Sequence, residues 1–129
     1  MLPRRENKTF NYRFMLPENF PTIITLCGST RFKDAFTKAQ LEQTLKGKIV
    51  LTIGCNMKSD SEIFGDMSDD EFNLTKEKLD WLHKRKIDLS DEVLILNVGG
   101  YIGESTKSEL EYARKCGCTI FWLEPDKAQ

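Results

Sequence analysis

A chain of 129 residues with 40% hydrophobic and 30% charged side chains suits one soluble domain with a core of its own. Its 19 basic and 20 acidic residues leave a formal charge of −1, which argues against a nucleic acid polymer as partner and leaves room for a small ligand. No apolar run approaches the roughly 20 residues that cross a bilayer, and residues 1–14 lack the apolar core of a signal peptide, so no membrane partner and a cytoplasmic location are expected.

Residues 1–20, with Pro3, Pro17 and mixed charge, read as an irregular leader in which Thr9–Phe14 could add an edge strand. A single α/β domain is expected over 21–129. Thr22–Leu26 (TIITL) is a β-branched run between Pro21 and Cys27-Gly28, the pattern of a buried parallel strand. Phe32, Ala35, Phe36 and Ala39 then recur at helical spacing, with Ser29 or Thr30 as cap and Gly47 as stop. Lys48–Ile53 predicts a second strand. The polar stretch Cys55–Asp70 predicts a long loop, with Asn56, Met57, Ile63 and Phe64 able to close over a ligand and its acidic residues forming a solvated rim. Phe72, Leu79 and Leu82 suggest the apolar stripe of a helix running to about Leu89. Glu92–Val98 predicts a third strand, Gly99–Gly103 a flexible turn, Thr106 to about Cys116 a third helix, and Thr119–Leu123 a last strand. Strands alternating with helices predict a three-layer Rossmann-like or flavodoxin-like α/β domain around a four- or five-stranded, mainly parallel sheet. Such sheets bind ligands beyond the carboxyl ends of their strands, where the strand order reverses.

The four cysteines form no C-x-x-C pair and the chain has one histidine, so a structural zinc site is not expected; buried, reduced thiols are. No metal and no cofactor is predicted.

Two segments fall at strand ends that should adjoin. In Cys27-Gly28-Ser29-Thr30-Arg31, Gly28 lets a ligand approach the backbone, the helix start offers free N–H groups, and Arg31 suits a phosphate. A plain strand-to-helix turn with a solvated arginine fits the same residues. Phe32 reads as packing, although an aromatic there could cover a base. In the second segment, Asn97 with Gly99, Gly100 and Gly103 leaves room for a ligand before the polar helix start that carries Ser105 and Glu109. Thr106-Lys107-Ser108-Glu109 also makes a good capping box, and on pattern alone the cap is the stronger reading of Glu109. Its place beside Leu110 and the Ala113 side of the helix borders the buried stripe, where a carboxylate facing the crevice would be desolvated. His83, next to Lys84, Arg85 and Lys86, has the setting of a surface residue, yet its spacing from Ile87 turns it toward the sheet. There a neutral imidazole could orient a sugar hydroxyl or carry a proton.

Cys27-Gly28-Ser29-Thr30-Arg31, together with Ser108-Glu109-Leu110-Glu111-Tyr112-Ala113, Gly117 and the strand at Thr119, resembles the nucleoside 2-deoxyribosyltransferase superfamily, which includes 2′-deoxynucleoside 5′-phosphate N-glycosidases. The resemblance implies that Glu109 is a nucleophile attacking C1′ of a nucleoside or nucleotide to form a covalent glycosyl ester, resolved by water or a second base. It further implies that Gly28, Ser29, Arg31 and Ser105 hold phosphate or ribose, and that the protein is a homodimer or higher homo-oligomer. Glu111 replaces a small residue of the family pattern, and His83 stands where the family often carries an aspartate. A second reading keeps the same fold as a non-catalytic nucleotide sensor, with Glu109 only a cap and Glu111 blocking catalysis. A third, a receiver-like interaction domain, lacks the expected acidic cluster after the first strand.

Overall fold

A computed structural model describes residues 16–53 and 65–128. Four strands, β1 (Ile23–Cys27), β2 (Ile49–Leu51), β3 (Glu92–Ile95) and β4 (Thr119–Trp122), alternate with three helices, α1 (Lys33–Leu45), α2 (Asp69–Leu89) and α3 (Glu104–Lys115). All strand pairs are parallel, in the order β2-β1-β3-β4. This is the three-layer α/β architecture expected from the alternation. The edge strand suggested at Thr9–Phe14 and the loop residues Asn56, Met57, Ile63 and Phe64 lie outside the described residues.

The two faces of the central strands bury different helices, because successive side chains point to opposite sides of a sheet. Ile24, Leu26, Leu94 and Leu96 pack with Phe36 and Ala39 of α1. Cys27, Val93 and Ile95 pack with Ile87 of α2 and with Leu110 and Ala113 of α3. From β1 the chain moves outward to β2, then crosses back to β3 on the other side of β1. The strand order therefore reverses between β1 and β3, whose last residues, Cys27 and Ile95, stand opposite each other in register. A crevice opens beyond them.

Gly47, just past α1, takes φ +83°, the left-handed turn that a side chain would strain. At the start of α1, neither Ser29 nor Thr30 is the cap. Phe32 holds that position without a side-chain hydrogen bond, and the Ser29 carbonyl accepts from Phe32 N–H at 3.0 Å. The stripe assigned to α2 is also corrected: Phe72, Leu79 and Leu82 are 37%, 46% and 46% exposed, while His83 and Ile87 are the buried residues of that helix. Only the carboxyl half of α2 meets the sheet. There the Thr25 and Ser90 hydroxyls pair in the core, Ser90 Oγ donates to the Lys86 carbonyl at 2.9 Å, and Lys86 Nζ donates to the Thr52 carbonyl at 2.5 Å. No helix among the described residues is long and apolar enough to cross a membrane.

Gly28 follows β1 directly, where the chain lies close to Leu96 just beyond β3. A β-carbon there would lie 3.0 Å from Leu96 Cβ and 3.3 Å from the Leu96 carbonyl oxygen. Strand packing alone therefore favours glycine here. Gly28→Ala is expected to lower stability by about 1–3 kcal/mol, the usual cost of overpacking, read as a lower urea midpoint with an unchanged m-value.

Candidate active site

The crevice at the reversal point forms a cleft of about 340 Å³, within the range of small-molecule sites. Three elements wall it. Gly28, Ser29 and Thr30 come from the turn after β1, Gly103 to Thr106 and Glu109 from α3, and Phe72, Lys76, Leu79, Asp80 and His83 from one face of α2. Gly103 is the N-cap of α3 and no side chain caps the helix, so its first N–H groups lie at the cleft wall, which Lys76 and Asp80 of α2 also line. That pairing of helix start and ammonium favours an anionic group.

Glu109 is not a cap. The chain enters α3 at Gly103, three residues before Thr106, which places Glu109 in the second turn on the face that carries Leu110 and Ala113 into the core. Its side chain is 8% exposed, and Oε2 has no hydrogen-bond partner among the described residues. Burial, with the Asp80 charge adding to it, pushes its carboxyl up to about 8, against smaller opposing effects of the Cys27 thiol and Lys84. His83 is equally buried, and its Nε2 sits 3.5 Å from Glu109 Oε2 and 3.4 Å from Cys27 Sγ. Burial, and then the Lys86 charge, lowers the imidazole to about 4, so it is neutral at pH 7. Burial, reinforced by Glu109, raises the Cys27 thiol well above its ordinary value. The cluster is thus a neutral acid, a neutral imidazole and a neutral thiol, all out of water. Helix contacts hold it in place: Arg85 donates to the Tyr112 hydroxyl at 2.8 Å, and that hydroxyl donates to Asp88 Oδ1 at 2.5 Å, fastening α2 to α3.

Of the residues singled out in the sequence, Gly28, Ser29, Thr30, Gly103, Ser105, His83 and Glu109 meet in the cleft. The surface reading of His83 is overturned by its burial. Glu111, suspected of blocking the site, is exposed on the other side of α3. Arg31 reaches the cleft only through Tyr101: its guanidinium lies 4.4 Å from the ring centre and donates to the hydroxyl at 3.3 Å. Phe32 packs edge-on to the same ring at 5.9 Å and does not line the cleft.

Asn97, Gly99 and Gly100 are placed elsewhere. Asn97 Nδ2 donates to the Glu124 carbonyl at 3.1 Å, its Oδ1 accepts from Glu124 N–H at 3.0 Å, and Gly99 N–H donates to Glu124 Oε2 at 2.6 Å. Gly100, at φ +86°, packs on Lys127. These residues clip the segment after β4 onto the sheet. Asn97→Ala removes two of the three hydrogen bonds of the clip and is expected to destabilise by about 1–3 kcal/mol, leaving ligand affinity of the folded protein unchanged in a calorimetric titration.

Tyr101, Lys76 and Asp80 are the site residues missed in the sequence. Lys76, Asp80 and His83 stand at i, i+4 and i+7, a polar stripe on one helical face that carries the signal. No protein-family model and no curated protein matches this chain. What the site does must come from its own chemistry. A desolvated carboxyl aimed into a cleft, beside a neutral base, suits attack on an electrophilic carbon or transfer of a proton.

Proposed function

We propose that this protein cleaves the N-glycosidic bond of a nucleoside or nucleoside 5′-monophosphate through a covalent glycosyl ester on Glu109. The observation that carries the reading is the Glu109 carboxyl itself: buried, lining the cleft at the strand reversal, with Oε2 unpartnered and His83 Nε2 at 3.5 Å. The resemblance of Cys27–Arg31 and Ser108–Ala113 to the nucleoside 2-deoxyribosyltransferase superfamily points the same way.

In the first step Glu109 releases its proton to solvent and the carboxylate attacks C1′. The C1′–N bond breaks, and the base, departing on the opposite face, takes up a proton from solvent. In the second step water, or a second base, attacks C1′ from the opposite side, and the ester oxygen leaves as the carboxylate. A proton from the attacking nucleophile restores the carboxyl. Two displacements retain configuration at C1′. From Glu104 to Glu109 the helix rises roughly 7.5 Å. A sugar could therefore present C1′ to Glu109 while its 5′ end meets the N–H groups and Ser105 at the helix start. Phe72, Leu79 and Tyr101 offer apolar surface to the base.

The test is incubation with deoxynucleosides, their monophosphates and a nicotinamide nucleotide, with free base followed by chromatography. Release of base from one substrate class supports the reaction. Ligand-induced thermal stabilisation with no base released would make the protein a nucleotide sensor instead.

A further inference from the structure

Cys27, His83 and Glu109 bring a thiol sulfur, an imidazole nitrogen and a carboxylate oxygen within 4.8 Å of one another. The donors come from β1, α2 and α3, so no short sequence spacing announces them. Tetrahedral zinc, with bonds of about 2.0–2.3 Å, needs its ligand atoms roughly 3.3–3.6 Å apart. Two of the three separations meet this, 3.4 Å from Cys27 Sγ to His83 Nε2 and 3.5 Å from Nε2 to Glu109 Oε2, and the third pair, sulfur to carboxylate, lies within 4.8 Å.

We propose that Cys27, His83 and Glu109 form a buried site for one borderline-soft divalent cation, best matched by Zn²⁺. Three properties of the site favour it. Glu109 Oε2, buried and without a hydrogen-bond partner, is aimed into the cluster. A thiolate and a carboxylate carry two negative charges, which a divalent ion cancels, so the occupied site is neutral in a region that excludes water. The mixed sulfur, nitrogen and oxygen set disfavours Mg²⁺ and Ca²⁺, which take oxygen ligands almost exclusively. His83 and Glu109 line the cleft while Cys27 lies behind them, so the fourth coordination position faces the cleft and is open to water or a ligand. Binding displaces the thiol proton and the carboxyl proton to solvent. The cation and the sugar would compete for the same carboxylate, so under the proposed glycosidic function Zn²⁺ inhibits; that consequence alone rests on the functional reading.

The binding claim is tested without substrate. Reduced, chelator-treated protein is titrated with Co²⁺, which reports thiolate ligation in the near ultraviolet and tetrahedral geometry in the visible. The expected result is saturation at one equivalent, with intense visible bands that Zn²⁺ abolishes. Cys27→Ser should lose the near-ultraviolet band. Glu109→Gln, which keeps the side-chain shape, should weaken binding at least tenfold with an unchanged circular dichroism spectrum. The absence of saturable binding to folded wild-type protein, or bands that survive in both variants, would overturn the site. Metal binding without base release would leave this inference standing and remove the glycosidic one.

Discussion

Glu109→Gln is expected to slow base release by at least about a thousandfold, since losing the nucleophile of a covalent mechanism removes a step that binding and positioning cannot replace. Glutamine fills the same volume and needs no proton removed to remain neutral, so substrate affinity should change little. The expected pattern is a collapse of kcat with KM nearly constant, measured by chromatographic base release across substrate concentration. A cap role predicts the opposite: intact turnover and a stability loss of about 1 kcal/mol. Gly103 at the head of α3 already speaks against the cap, because Glu109 sits too far along the helix to reach it.

The same residue should dominate the pH dependence of stability in chelator-treated protein. Glu109 titrates at about 8 in the folded chain and near 4.5 when unfolded. Between those values the folded state holds a proton that the unfolded state has released, so stability falls as pH rises and levels off above pH 8. His83 acts in the opposite sense. Its value is about 4 folded and 6.5 unfolded, so its contribution makes stability rise from pH 4 to 6.5. The two oppose each other below pH 6.5. From pH 6.5 to 8 only Glu109 of the two contributes, with an expected loss of about 2 kcal/mol at 1.36 kcal/mol per unit. The raised Cys27 thiol extends the fall to higher pH. Asp80, Lys84, His83 and Cys27 are the ionisable groups that set the Glu109 environment from α2 and β1. Denaturant midpoints across this range should decline in the wild type and stay flat in Glu109→Gln. A flat wild-type profile would mean that the carboxyl is solvated.

The parallel sheet was legible because β1 and β3 are apolar runs buried on both faces, and no other element could bury them. The turn at Gly28 and the helix carrying Leu110 and Ala113 followed from the same logic. α2 was misread for a physical reason. Its apolar side chains Phe72 and Leu79 line the mouth of the cleft and Leu82 is exposed, while its deepest contacts are made by Ile87 and a histidine. Hydrophobic periodicity finds the apolar face of a helix, and here the inward face is partly polar, with Lys76, Asp80 and His83 lining the cleft. The capping box failed because T-x-x-E is a local pattern, and the chain had already entered α3 from the glycine turn. Nothing local could reveal the cluster itself, since Cys27 and His83 are 56 residues apart and meet only when β1 and α2 pack together.

The most direct measurement is the mass of the protein during turnover. Acid quenching with a cleaved deoxynucleoside monophosphate, followed by proteolysis and mass spectrometry, should find one deoxyribosyl-phosphate adduct on the peptide containing Glu109. Base release with no adduct on that peptide under conditions that trap glycosyl esters, or an adduct on another residue, would contradict a glutamate nucleophile.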